Sequence, residues 1–320
     1  MRKAVLLGAG ASRGSLDGLY VPVAVEFGKG LAQICPGWKK AYPALLHVVE
    51  HLSLDPDSWP LEPVWSCIDW YAKLQPALPA AKPWEDESPQ MKKALLAVYG
   101  ERCDDAANQV RDDSTIARLF QNEVQAGDVL ISFNYDTIAE RVAARCGRQL
   151  KSGPPEGGNV LFAKPHGSTS WTLNLVSHEV TWSSPDGSPI LQSLSAADVD
   201  GRREPLLLGA VPIKSELIRE VQESCGTPNV FDAISTQWRT VVDAIRDAET
   251  LVVVGYSFSV EDRYGRFLVQ EGLRLRRRDL RIEFFEVEDR AADRAREIFD
   301  VFHGRVHELV YRGPVKPLAA

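Results

Sequence analysis

Few side chains in this chain have both the type and the setting for chemistry. His166 lies between Pro165 and Gly167, just past the apolar stretch Asn159–Ala163. The flanking Pro and Gly constrain the backbone and aim the ring toward the crevice beyond the strand. Imidazole is the side chain best matched to proton transfer near neutral pH. His47, His51, His178, His303 and His307 have no comparable setting. The plainer reading, a satisfied core or surface histidine, stays open. Asn134 follows the apolar run from Asp128 to Phe133. Its amide can orient a sugar hydroxyl or a water without titrating, or it can satisfy local backbone groups. Asp136 is placed to cap the helix that follows.

A second set can hold a ligand. Ala4-Val5-Leu6-Leu7 runs into Gly8-Ala9-Gly10-Ala11-Ser12. Glycines allow a tight turn, and the N–H groups after them, with the Ser12 hydroxyl, can cradle a pyrophosphate; the alternative is a plain turn. The dinucleotide fingerprint is incomplete. The third glycine, Gly14, comes one position late, and Pro22 interrupts the region where a helix should follow. Gly255 and Ser257 follow the most apolar run, Thr250–Val254, and would let a ribose or phosphate lie against the backbone. Glu286, after Arg281–Phe285, can take the paired hydroxyls of an adenosine ribose or be one of several surface acids.

Strands must position these residues. Continuous apolar runs alternate with helical patterns, among them Thr115–Gln125, Ile138–Cys146 and a helix from Asn229 to Asp247 with apolar residues at Phe231, Ile234, Trp238, Val241 and Ile245. Asp262 begins or caps a further helix. This predicts an α/β fold: a Rossmann-like parallel sheet with helices on both faces. One domain spans 1–320. Residues 36–112, rich in proline and tryptophan, read as an inserted helical subdomain. Residues 169–205 read as a β-rich hairpin excursion, after which the α/β pattern resumes at Pro205–Gly209. Ligands bind beyond the carboxyl ends of such strands. Gly8/Gly10/Ser12, Asn134/Asp136, His166/Gly167/Ser168, Gly255/Ser257 and Glu286/Glu288 all fall there.

Composition narrows the function. The 320 residues are 44% hydrophobic and 25% charged, with a net charge of −7. No basic excess is available to neutralise phosphates, so direct nucleic-acid binding is not expected. The basic run Arg274–Arg278 reads as a solvated helix end. Met1-Arg2-Lys3 runs straight into a core strand, and no apolar run reaches the length of a membrane span, so a cytoplasmic protein is expected. The five cysteines are scattered singly, without a Cys-x-x-Cys pair, so no metal site is expected. No Gly-x-x-x-x-Gly-Lys-Ser/Thr loop is present. A glycine-rich loop, an Asn and a His without metal suggest chemistry on the dinucleotide itself.

Gly8-Ala9-Gly10-Ala11-Ser12, Phe133-Asn134-Tyr135-Asp136, Lys164-Pro165-His166-Gly167-Ser168, and Val254-Gly255-Tyr256-Ser257 with Asp262 resemble, in this order, the motifs of the sirtuin-like superfamily. The chain looks most like its bacterial antiphage-defence branch, which hydrolyses NAD. The resemblance implies an NAD+ glycohydrolase that releases nicotinamide and ADP-ribose, with NAD+ as substrate and no separate cofactor. Asn134 would hold the nicotinamide ribose and the attacking water, and His166 would act as general base on the ribose hydroxyls. Gly8, Ala9, Gly10 and Ser12 would bind the phosphates, Asp136 would support the Asn134 loop, and Gly167 and Ser168 would be further NAD-binding positions. Gly255, Ser257 and Glu286 would contact the adenosine half. The four-cysteine zinc ribbon of classical sirtuins is absent, which argues against lysine deacylation. The resemblance also implies a homo-oligomer, or a defence partner such as a hexameric ATPase translocase or a short Argonaute. A catalytically silent sensor of NAD or ADP-ribose, and a zinc-free deacylase or ADP-ribosyltransferase, remain as alternatives.

Overall fold

The computed structural model describes residues 2–13, 24–74, 87–152, 158–177, 179–199, 202–208, 229–259, 262–285, 289–300, 302 and 306–312. Glu286 and Glu288 lie outside them. Ten strands are described: β1 (Lys3–Leu7), β2 (Val129–Ser132), β3 (Leu150–Lys151), β4 (Val160–Ala163), β5 (Gly167–Asn174), β6 (Val180–Thr181), β7 (Arg203–Leu207), β8 (Thr250–Val254), β9 (Leu280–Phe285) and β10 (Val306–Arg312). Seven of them form a sheet in the order β10-β9-β8-β1-β2-β4-β3, with every neighbouring pair parallel.

The strands are apolar throughout because both faces are covered. Val5, Leu7, Leu130, Val252 and Val254 point into one core, and Ala4, Leu6, Val129, Ile131, Leu251 and Val253 into the other. Full burial of each larger aliphatic side chain is worth roughly 1.5–3 kcal/mol. The first core takes in Phe27 and Leu31 of the helix Phe27–Ile34, and Ile138 and Val142 of the helix Ile138–Arg145. Its members within residues 36–112 include Trp38, Trp59, Met91 and Cys103, so these helices extend the core of the sheet. The second core packs the helices Asn229–Asp247, Arg263–Leu275 and Asp289–Asp300 through residues such as Val241, Leu268 and Ile298.

Three local differences from the sequence reading have physical causes. Pro205–Leu207 does not rejoin the parallel sheet. It lies in β7, which pairs antiparallel with β5 in a second sheet of order β6-β5-β7. An apolar run can be buried by either sheet, and the run alone does not say which. β3 is two residues long, too short for a periodic signal. Arg276, within the basic run, is buried. Its guanidinium donates to the carbonyls of Ile245, Arg246 (3.1 Å) and Asp279 (2.7 Å). It thereby caps the C-terminal end of the helix Asn229–Asp247, where a cation offsets unsatisfied carbonyls. Its neighbours Arg274, Arg277 and Arg278 are exposed.

The chain runs from β1 outward to β2 and β4, then crosses back through the helix Asn229–Asp247 to β8 on the other side of β1. The strand order therefore reverses between β1 and β8, where a crevice opens in doubly wound sheets.

Candidate active site

Because β8, β1, β2 and β4 are adjacent and parallel, their carboxyl ends form one edge. That edge brings together the glycine turn after β1, Asn134 and Asp136 after β2, His166 after β4, and Gly255 after β8.

The glycines first let two turns interlock. Gly8 N–H donates to the Val254 carbonyl (3.0 Å), Gly10 N–H to the Gly255 carbonyl (2.9 Å) and Ala11 N–H to the Gly8 carbonyl (2.9 Å). A Cβ on Gly8 would lie 2.4 Å from Tyr256 Cα, and one on Gly10 2.9 Å from Gly255 Cα. Gly255 has φ +60°, and a Cβ there would lie 2.1 Å from Ala11 N. The amides of Gly10 and Ala11 are therefore used within the fold, which corrects the expectation that they stand free for an anion. A helix does follow the turn directly, described over Ala9–Arg13. Ala9, Gly10 and Gly255 are partly exposed and Ser257 is exposed. Gly10-Ala11-Ser12-Arg13-Gly14 also spells the Gly-x-Ser-x-Gly pattern of a hydrolase elbow. The geometry gives Ser12 no such role, because it is fully buried within the helix with its hydroxyl engaged.

That engagement ties β1 to β2. Asn134 Nδ2 donates to the Gly8 carbonyl (3.0 Å) and to Ser12 Oγ (3.0 Å). Ser12 Oγ in turn donates to the Asp136 carboxylate (3.2 and 3.1 Å). Both amide hydrogens of Asn134 are thus committed, so any contact it makes to a ligand runs through Oδ1 as an acceptor. Asp136 Oδ1 also accepts from Ile138 N–H, the first residue of the next helix (3.0 Å), although the N-cap position itself is Thr137. Beneath it, Lys164 is fully buried. Its ammonium donates to the Asp136 carbonyl and to Glu140 Oε1 (2.8 Å). Burial raises the Asp136 and Glu140 pKa values, against the lowering effect of Lys164.

His166 ends β4 in a different setting. Its Nε2 lies 3.1 Å from Asp262 Oδ1, an ion-pair distance without the alignment of a hydrogen bond. Asp262 is held on both oxygens: Oδ1 accepts from Gly265 N–H (2.9 Å) and Oδ2 from the Tyr256 hydroxyl (2.7 Å). Burial and the Asp262 charge push the Tyr256 pKa well up, so the phenol stays a donor. Phe133 stacks on Tyr256 (centroids 4.6 Å apart) and meets the His166 ring edge-on (5.0 Å). The Trp238 indole donates to the Pro165 carbonyl (3.0 Å), and Leu208 N–H donates to the His166 carbonyl (2.8 Å). Gly167 has φ +80°, and a Cβ there would lie 2.1 Å from the Leu206 carbonyl oxygen. Ser168 is fully buried, with its hydroxyl 3.0 Å from Ser170 Oγ.

The sequence reading missed the partners of these groups. Asp262 reads as a helix cap, which it is, but its second role toward His166 depends on the segments that follow β4 and β8 meeting at the carboxyl edge across β1 and β2. Lys164 enters the sequence reading only as part of the motif around His166, and Glu140 has no role in it. No local pattern signals their burial. Among the described residues no group of three or more His, Cys, Asp or Glu gathers to hold a metal ion, and no helix is long and apolar enough to cross a membrane.

No protein-family model matches the chain, and no curated protein matches it. Among solved structures it is similar to a Sir2 homologue crystallised with NAD, at 14% identity and a TM-score of 0.41, covering 95% of this chain and 90% of that one. It is also similar to a Sir2 homologue variant in complex with 2′-O-acetyl ADP-ribose, at 14% identity and a TM-score of 0.36, covering 95% and 92%. A Sir2 homologue variant with ADP-ribose aligns at 15% identity and a TM-score of 0.39, over the same shares. Superpositions this loose leave the α/β class to stand on the strand order and parallel register described above.

Proposed function

We propose that the chain is an NAD+ glycohydrolase of the sirtuin-like type, acting as the NAD-depleting effector of a bacterial antiphage defence system. The observation that carries this reading is the meeting of Asn134, the glycine turns and an Asp-backed His166 at one carboxyl edge. The nicotinamide–ribose bond already has a cationic leaving group, so the enzyme must mainly position the sugar and admit water. The C1′–N bond breaks with its electron pair going to nicotinamide. Water adds at C1′, and its proton is lost. Asn134 Oδ1 accepts from the ribose or the water. His166, beside Asp262, takes a proton from a ribose hydroxyl, stabilises the developing cation through that alkoxide character, and returns the proton to the hydroxyl once water has added. The partly exposed Gly10 and Gly255 let the dinucleotide approach the backbone, with Ser257 toward the adenosine half.

Unregulated NAD loss would poison the cell, so activity is controlled by assembly or by a partner. The purified chain, alone and with candidate partners, is incubated with NAD+. Equal amounts of nicotinamide and ADP-ribose are expected, and both should vanish in His166→Ala. Intact NAD+ alongside measurable binding would overturn hydrolysis in favour of a sensing module. The commitment of both Asn134 amide hydrogens within the fold is the observation that favours that second reading. Nicotinamide release that requires an acceptor protein would point to deacylation or ADP-ribosyl transfer.

A further inference from the structure

Lys164 and Glu140 take no part in the chemistry proposed above, yet they are the most completely buried charges described. Lys164 is 0% exposed and Glu140 1% exposed. Isolated charges are not tolerated in such a place, and a buried pair does little for net stability compared with apolar residues of similar volume. Its presence therefore calls for another reason.

The contacts supply one. Lys164 belongs to the turn that carries His166, two residues on. Its ammonium reaches across to the Asp136 carbonyl, on the turn that carries Asn134 two residues back, and to Glu140 on the following helix. Its own backbone N–H is fixed by Gln237 Oε1 (2.8 Å), itself buried on the crossing helix. The Asp136 carboxylate continues the chain through Ser12 to the Asn134 amide. Glu140 Oε2 is buried and has no hydrogen-bond partner among the described residues, so the carboxylate is held chiefly by the lysine. The pair links the ends of β2 and β4 beneath the site.

We propose that the buried Lys164–Glu140 pair is a positioning element that sets Asn134 relative to His166. The inference rests on the functional reading above only for its catalytic consequence. The placement of Asn134 can be read without any ligand.

The test compares wild type with Lys164→Met/Glu140→Leu, which removes both charges at once and leaves neither unpaired. Three quantities are measured on the full chain: the thermal midpoint, hydrogen exchange of the Asn134 side-chain amide by NMR (assigned through its loss in Asn134→Ala), and nicotinamide release from NAD+. The double variant should keep a midpoint near that of wild type. Its Asn134 amide hydrogens should exchange at least about tenfold faster, and kcat should fall by about 30-fold or more with KM little changed, as expected when a supporting contact is lost. A folded double variant with wild-type exchange and wild-type kcat would overturn the proposal and leave the pair a stability element. If the double variant loses its folding transition, Glu140→Gln decides the matter on the same readouts, with faster exchange supporting the proposal and unchanged exchange overturning it. A wild-type chain that releases no nicotinamide counts against the glycohydrolase reading alone, since amide exchange still judges the positioning role.

Discussion

His166 Nε2 stands 3.1 Å from Asp262 Oδ1, joining the end of β4 to the start of the helix after β8. A carboxylate in this position orients an imidazole and stabilises its protonated form. Asp262→Asn keeps the size of the side chain and an oxygen for the helix cap, but removes the charge. The expected outcome is a loss of about 10²–10⁴ in kcat for nicotinamide release with the fold retained. Tyr256→Phe, which removes only the donor to Asp262, should cost about tenfold or less. Steady-state kinetics with circular dichroism check both. Equal rates for Asp262→Asn and wild type would remove Asp262 from the mechanism.

Asn134 gives a prediction in which stability and activity separate. Asn134→Ala removes the donor to Ser12 Oγ and one of the two donors to the Gly8 carbonyl, which keeps Ala11 N–H, and should destabilise by roughly 1–3 kcal/mol. Asn134→Asp should be worse, because it sets an acceptor against the Gly8 carbonyl oxygen and adds a charge near the Asp136 carboxylate. Denaturant unfolding of the three proteins gives the order. An Asn134→Asp protein as stable as wild type would contradict the assigned direction of these hydrogen bonds.

Two glycines with positive φ should respond differently to alanine. Gly127, at φ +90°, has open space where a Cβ would go. Its replacement should cost only the backbone term, about 1–2 kcal/mol. At Gly255 the new Cβ meets Ala11 N as well. That adds a backbone clash at the β1–β8 junction, so Gly255→Ala should lower the thermal midpoint well beyond Gly127→Ala. Equal shifts would show that the two turns are not interlocked as described.

Asp136 predicts an unusual pH dependence. Burial raises its folded-state pKa above the ordinary 3.8. The folded state therefore binds this proton more tightly than the unfolded state. The stability it contributes is full below the unfolded value and is lost as pH rises through the raised folded value, opposite in sign to a salt-bridged acid. Asp136→Asn, which keeps an acceptor for Ile138 N–H, should gain stability relative to wild type as pH rises from about 4 toward neutrality. Urea midpoints across that range check it. A difference that is flat, or that moves the other way, would mean that Lys164 outweighs burial.

Much of the fold is legible in one dimension because its signal is local. Thr250–Val254 is a strand, and Asn229–Asp247 a helix, within the residues whose own apolar pattern marks them. Asn134, His166 and Gly255 could be singled out because each follows an apolar run, and parallel strands place such positions at a common edge. Pro205–Leu207 was ambiguous because burial in a parallel or an antiparallel sheet leaves the same apolar mark.

By itself, then, the sequence determined the alternation of strands and helices and the residue types at the strand ends. It also determined that Gly8, Gly10 and Gly255 occupy backbone positions without side chains. Only the tertiary structure decided what those residues face. It turned the amides of Gly10 and Ala11 inward, set Asp262 against His166, and buried Lys164 with Glu140 beneath Asn134. The physical reason is range. Strand and helix patterns arise from neighbours a few residues apart, whereas each of these pairings forms between chain segments that meet only when β8, β1, β2 and β4 assemble side by side.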